Sequence, residues 1–217
     1  MSYKNIFTIT FSFIIILSTS IKAENNYFKV NYGISKNEIS ITSTSGTKGT
    51  LKTDDEDNGL MLSAGTMIGD WWGLDISYFD MGSSSIEVSQ GAHITSNKEN
   101  YVAESTGTIS NDISSFGLGL IIGSNNDLSN AFNLDYYLKT GIHSWEKSGS
   151  TNILDNNAGF KNSFYNKGNG AYGGIGISMS VYNEIAIDLA YDMIGLSNDV
   201  SFSDNSSLVS AGFRFKF

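Results

Sequence analysis

The twelve residues from Ser206 to Phe217 (SSLVSAGFRFKF) restrict the fold more than any other stretch of the chain. Side chains of an extended strand alternate between two faces. Val209, Ala211, Phe213, Phe215 and Phe217 therefore share one face, and Leu208, Ser210, Gly212, Arg214 and Lys216 share the other. Three phenylalanines opposite two cations suit a strand whose apolar face meets lipid and whose polar face lines a wet, closed interior. The competing placement, an edge strand of a secreted sandwich, would leave an unblunted hydrophobic edge, which soluble proteins avoid.

Composition agrees with that placement. The chain has 217 residues, no cysteine and no proline, so it lacks a disulfide framework, a thiolate site and the strongest strand breaker. Its hydrophobic content is 40% and no mature segment has the apolar run of a spanning helix. A chain of this kind can cross a bilayer only as a closed barrel, because open sheet edges stay unsatisfied in hydrocarbon. The net charge of −9 argues against nucleic acid as a partner. At the front, MSYKNIFTITFSFIIILSTSIKAENN has Lys4, an apolar run from Ile6 to Leu17, and small Ala23 before Glu24. This pattern predicts a signal peptide at 1–23, cleaved after Ala23, followed by one barrel domain at 24–217.

Seven further alternating stretches precede the terminal one: Tyr27 to Ser35, Gly59 to Ile68, Trp71 to Met81, Ile113 to Ile122, Phe132 to Trp145, Ala171 to Ser180 and Ile185 to Met193. Short turns (Gly69-Asp70, Gly123 to Asn130, Val181 to Asn183) alternate with long polar segments (to Asn58, Gly82 to Asp112, Glu146 to Lys167, and up to Asn205). The first long loop is read as ending in the acidic run Asp54 to Asp57. Gly82 to Asp112 is read as prolonging its two flanking strands beyond the membrane. The sum is an all-β, eight-stranded, antiparallel up-and-down transmembrane barrel in the bacterial outer membrane, with periplasmic turns and extracellular loops. Eight strands enclose an interior that side chains can just fill, so no wide pore is expected. Trp71 and Trp72, beside a short turn, are placed in an interfacial aromatic girdle.

Several segments resemble a known family. GLMLSAGTMIGDWWGLDISYFDMG (Gly59 to Gly82), NLDYYLKTGIHSW (Asn133 to Trp145) and NEIAIDLAYDM (Asn183 to Met193) resemble the OmpA-like transmembrane domain, that of the outer-membrane protein A family. With the strands between them, the likeness spans nearly the whole mature chain. The spacing of Ser210, Gly212, Phe215 and Phe217 resembles the C-terminal signal that the barrel-assembly machinery reads in such proteins. Since the sequence stops at Phe217, the peptidoglycan-binding domain of well-known members is not expected. The family also has an interior Glu–Arg pair proposed to gate a narrow passage. Asp75 matches the acidic position, but Asp188 stands where the arginine would be.

Parity turns Asp75, Lys139, Asp188 and Arg214 inward, and buried charges persist only when paired, so a lumen network is expected among them. Metal, cofactor and catalytic residues are not expected. The run Asp54 to Asp57 lacks the spacing of a calcium loop. GNGAYG, from Gly168 to Gly173, precedes a strand rather than a helix and fails the context of a nucleotide loop. His93 and His143 have no serine in a recognisable motif, and the neighbourhood expected by resemblance to lipid A deacylases is absent. The expected role is structural or adhesin-like contact through extracellular loops. The alternatives are a narrow pore for small solutes, a lipid-modifying barrel enzyme, or a secreted soluble β-sandwich or ligand-binding barrel. Expected partners are outer-membrane lipid, the assembly machinery and a host or surface ligand, with the protein a monomer.

Overall fold

Isolated alternating strands cannot satisfy their own backbone groups, and in this chain the first strand pairs with the last. The computed structural model describes residues 26–37, 42–43, 51–96, 99–103, 106–123, 134–155, 158–182, 184–196 and 205–217. The expected signal peptide and the turn Gly123 to Asn130 from Ser124 onward lie outside them. The strands are β1 (Asn26–Asn37), β2 (Thr42–Ser43), β3 (Leu51–Asp54), β4 (Glu56–Met67), β5 (Trp72–Val88) and β6 (His93–Ser96). They continue with β7 (Glu99–Val102), β8 (Gly107–Gly123), β9 (Leu134–Asp155), β10 (Ala158–Tyr182), β11 (Ile185–Gly195) and β12 (Asn205–Lys216).

Eight of these strands close a ring in the order β5-β4-β1-β12-β11-β10-β9-β8, and β8 pairs back onto β5. All eight neighbouring pairs are antiparallel. The seam joins Tyr27 to Lys216 at one end and Asn37 to Ser206 at the other. β3 adds to the upper part of β5, and β2, β6 and β7 form a separate small sheet. The protein is thus the closed eight-stranded barrel that the alternation predicts.

The outward band follows the expected parity. Val209, Phe213 and Phe215 on β12, Leu118 and Leu120 on β8, Leu138 and Ile142 on β9, and Ile187 and Leu189 on β11 are all exposed. About four to five outward positions per strand are apolar, which at ~3.3 Å rise and ~40° tilt matches a ~25 Å hydrocarbon band. Above the band the outward residues turn polar, at Lys36, Asp80, Ser114, Ser144 and Ser207. Thr66 shares the outward parity of Leu60, Leu62 and Ala64 on β4 but is buried where β4 meets Asn26 at the start of β1.

Two loop assignments are corrected. Glu146 to Lys167 is not a loop: β9 and β10 continue as one hairpin, paired from Lys167↔Glu146 up to Ala158↔Asp155. The few apolar residues of that segment (Ile153, Leu154, Phe160, Phe164 and Tyr165) fall on both parities among polar ones, so hydrophobic alternation could not mark it, yet the chain there has no proline to break a ladder. The acidic run Asp54 to Asp57 is likewise built into strands, with Asp54 on β3 and Glu56 and Asp57 on β4 opposite Lys36 and Ser35. Gly82 to Asp112 does continue β5 and β8 upward, as expected, from Ser83↔Asp112 to Val88↔Gly107. A bulge between Asp80 and Ser83 interrupts that ladder, with Gly82 at a φ of 63° that L side chains rarely adopt.

The interior is filled by side chains in layers. Tyr27, Met67, Ile121 and Tyr137 form an apolar cluster near the short-turn end. Met61, Phe79, Met81, Ile113, Trp145, Tyr172, Ile194, Leu196 and Leu208 form a larger one towards the long-loop end. A third cluster, Ile86, Val88, Ala92 and Ala103 with Ile109 against it, lies inside the extension of the wall. The lumen is therefore drier than a uniformly polar lining would make it. Glycines give the large rings their room: a Cβ on Gly117 would lie 2.7 Å from the Tyr172 ring, and one on Gly176 would lie 2.3 Å from the Tyr137 ring.

Candidate functional site

The only dense polar chemistry among the described residues inside the barrel lies between and beside these apolar layers. The four residues expected to form a lumen network are all buried, from Asp188 at 0% exposure to Arg214 at 3%. Each takes its partner from outside that group of four. Lys29 on β1 reaches Asp188 on β11 at 3.4 Å. Asp188 also accepts hydrogen bonds from Asn31 and Tyr137, at 2.8 Å each, and from Ser178. Lys139 on β9 pairs with Asp192 on β11 at 2.8 Å. Arg214 lies 3.9 Å from Asp135, and Lys216 lies 3.7 Å from the same carboxylate.

Asp75, at the acidic position of the family's gate, has no arginine against it. It accepts a hydrogen bond from the Tyr27 hydroxyl at 2.7 Å and another from Ser77. Aromatic faces complete the cation sites. The Lys29 ammonium sits 3.4 Å from the Tyr137 ring centroid, and the Arg214 guanidinium lies 4.7 Å from that of Tyr27. Such stacking stabilises desolvated cations where a full carboxylate shell is lacking.

Lys29, Asp135 and Asp192 are interior charges that were not selected from the sequence, although parity already turned them inward. The missing signal was charge balance: each inward cation needs an anion in a dry interior. Burial of ion pairs is weak evidence of stability, but removing one member leaves an uncompensated charge.

A second interior constellation involves His143 on β9. Its Nε2 lies 2.8 Å from the Gly195 carbonyl oxygen, and its Nδ1 lies 2.5 Å from the Ser115 hydroxyl. A carbonyl can only accept, which assigns the ring proton to Nε2 and makes Nδ1 the acceptor for Ser115. Serine and histidine are thus paired as a nucleophile and base would be. Both are buried at 3% exposure, and a backbone carbonyl replaces the orienting carboxylate. The pair ties β8, β9 and the end of β11 together across the lumen.

Of the remaining selected residues, Trp71 is 62% exposed at the β4–β5 turn and Trp72 is half-buried beside it. On β12, Ser210 is buried, Gly212 is half-buried and Phe215 is exposed on the outer face; Phe217, just past the strand, is exposed as well. The side chain of His93 falls outside the described residues. Among the described residues no group of three or more histidine, cysteine or acidic side chains could hold a metal.

Comparison with known proteins places this geometry. The family model described as the outer membrane protein beta-barrel domain matches residues 9–215. The Neisserial surface protein A structure is similar at 18% identity, covering 88% of this chain and 97% of that one, with a TM-score of 0.52. The outer membrane protein OprG from Pseudomonas aeruginosa is similar at 15% identity, covering 89% and 97%, also with a TM-score of 0.52. A sequence comparison with curated proteins returns no match.

Proposed function

The chain belongs to the outer membrane protein beta-barrel domain family, and from that premise we propose that its work is contact at the cell surface rather than transport or chemistry. It resides in the bacterial outer membrane. The observation that carries the reading is a division of labour along the barrel axis. The lumen is packed by Tyr172 and the apolar residues around it, while β5, β8, β9 and β10 continue far past the lipid band. A filled interior suits a scaffold, and extended hairpins suit presentation of loops to a host or surface ligand.

Replacing residues 89–106 with a short turn, and separately shortening the β9–β10 hairpin, tests this in a cell-adherence assay. Adherence is expected to fall for at least one variant that still shows heat-modifiable gel migration. Unchanged adherence for every shortened hairpin overturns the reading. The buried ion pairs Lys29–Asp188 and Lys139–Asp192 favour a second reading, a narrow pore, since charged groups already line part of the axis. That reading requires the Tyr172 layer to move, and discrete conductance steps in planar bilayers would support it over the first.

Catalysis is disfavoured because Ser115 and His143 are packed inside the barrel and a backbone carbonyl, not a carboxylate, orients the imidazole. Ser210, Gly212, Phe215 and Phe217 are read as the signal for the barrel-assembly machinery, and residues 1–23 as the export signal. Phe215→Ala should lower assembly in cells far more than refolding into detergent. Equal losses in both would make Phe215 a packing residue only.

A further inference from the structure

Above the lipid band the wall is an open sheet. The ring closes through the pairing of β10 with β11, and that ladder begins only at Tyr172↔Ile194. Over residues 158–171, β10 pairs with β9 on one side. Among the described residues no strand pairs with its other side there. The result is a margin of backbone N–H and C=O groups roughly 45 Å long at ~3.3 Å per residue. Its ladder with β9 runs without a register shift, and the chain has no proline, so neither a bulge nor a missing donor blunts it.

The margin has a charge of its own. It carries Lys161 and Lys167 and no acidic residue. Ser163, Tyr165, Asn166, Lys167 and Asn169 are exposed, so water reaches this part of the strand from both faces. Glu146, across the ladder from Lys167, accepts from the Tyr165 hydroxyl. The opposite margin of the same sheet, β3, is only four residues long and runs straight into Asp55, Glu56 and Asp57.

A second copy fits the β10 margin poorly. Two molecules upright in one membrane run β10 in the same direction, and a two-fold axis along the membrane normal would pair each residue with itself. Lys161 would then stand opposite Lys161 and Lys167 opposite Lys167, and like charges in opposite positions destabilise a strand pair.

We propose that the free edge of β10, residues 158–171, binds an extended acidic segment of a partner polypeptide as an added strand. This rests on the surface-contact reading and supplies the chemistry of the partner. Backbone hydrogen bonds along the edge give the affinity, and carboxylates set near Lys161 and Lys167 give the selectivity.

The test uses the full protein in micelles of an uncharged detergent, with three labelled peptides of about ten residues. One alternates threonine and glutamate, one alternates threonine and lysine, and the third is the glutamate peptide N-methylated at every central amide. Fluorescence anisotropy reads the binding. The glutamate peptide is expected to bind, and the other two to bind about tenfold more weakly or less. Lys161→Glu with Lys167→Glu is expected to reverse the preference between the two charged peptides while keeping heat-modifiable migration, which shows that it folds. Equal binding of the N-methylated peptide reduces the contact to surface charge and overturns the proposal, as does an unchanged preference in the charge-reversed variant. Absence of binding to the wild type overturns it too, and binding that emerges only when residues 197–204 are shortened would make the chain itself the occupant. Adherence that falls with the shortened β9–β10 hairpin but not with the charge-reversed variant overturns the proposal and leaves the surface-contact reading standing.

Discussion

The lower and upper halves of the same strand carry opposite polarity patterns with no change of parity on β8. Below Ser114 its outward residues are Phe116, Leu118, Leu120 and Ile122, and its inward ones are Ser115, Gly117, Gly119 and Ile121. Above, the outward residues are Asp112, Ser110 and Thr108, while Ile113 and Ile109 turn inward. The strand neither bulges nor ends at the crossing; only the surroundings change, from hydrocarbon to water. The medium outside the wall thus sets which face is apolar, and the interior compensates with charge at one level and with hydrocarbon at the next. β5 makes the same crossing by a different device, a bulge at Gly82 pinned by Asp57, which accepts from the Ser83 amide at 2.7 Å.

The comparison breaks most severely if a charge of the lower lumen is left alone. Asp188→Ala removes the acceptor of Lys29, Asn31, Tyr137 and Ser178, and is expected to destabilise by about 3–5 kcal/mol in urea unfolding from micelles. The double variant Lys29→Met with Asp188→Leu should recover much of that loss, because no buried charge is then unpaired. Next in size is the outer face itself. Leu120→Arg, at the level of the lipid band, should cost about 2–4 kcal/mol, whereas Ser110→Arg on the same face of the same strand should stay within ~0.5 kcal/mol. Equal costs at the two positions would show that Ser110 is not outside the hydrocarbon.

Gly117→Ala should destabilise by about 1–3 kcal/mol, since all the nearest atoms to the new methyl belong to the Tyr172 ring. Tyr172→Leu in the same chain should relieve the clash, measured by the same unfolding assay. The smallest effects lie above the membrane. Lys36→Ala, which removes the exposed pair with Asp55, should cost at most ~1 kcal/mol. The hydrogen bond from the Ser83 amide, then that from the Asn58 amide, hold the Asp57 carboxyl below its usual range. Its contribution is present above the unfolded carboxylate pKa and fades as pH falls through the lower folded value. Asp57→Asn should therefore flatten the acid side of the stability profile, slightly lowering stability at neutral pH and leaving it unchanged at low pH, where the wild type has already lost the contribution.

How much of this was legible follows from the same contrast. Inside the lipid band the outward residues must be apolar, so period-two hydrophobicity marks β12, β8 and β11 almost to the residue. Above the band both Ser148 and Lys147, or Ser110 and Asn111, are polar whichever way they face, and the β9–β10 extension disappeared into a presumed loop. The interior was legible in parity and not in pairing. Asp75, Lys139, Asp188 and Arg214 were correctly turned inward, but shear across the ring decides that Lys139 meets Asp192 and Arg214 meets Asp135. Ser115 could not be matched to His143 from sequence because nothing local relates them; their strands are paired, and their side chains meet only inside the lumen.

The seam between β1 and β12 fixes the order in which the molecule can be completed. Tyr27 finds Lys216 only after every intervening strand exists, so no partial product has a sealed circumference. Contacts of such long sequence separation are slow to form. Until that final zipper closes, the chain keeps two unpaired margins, and the cell must shepherd it across the periplasm in that state.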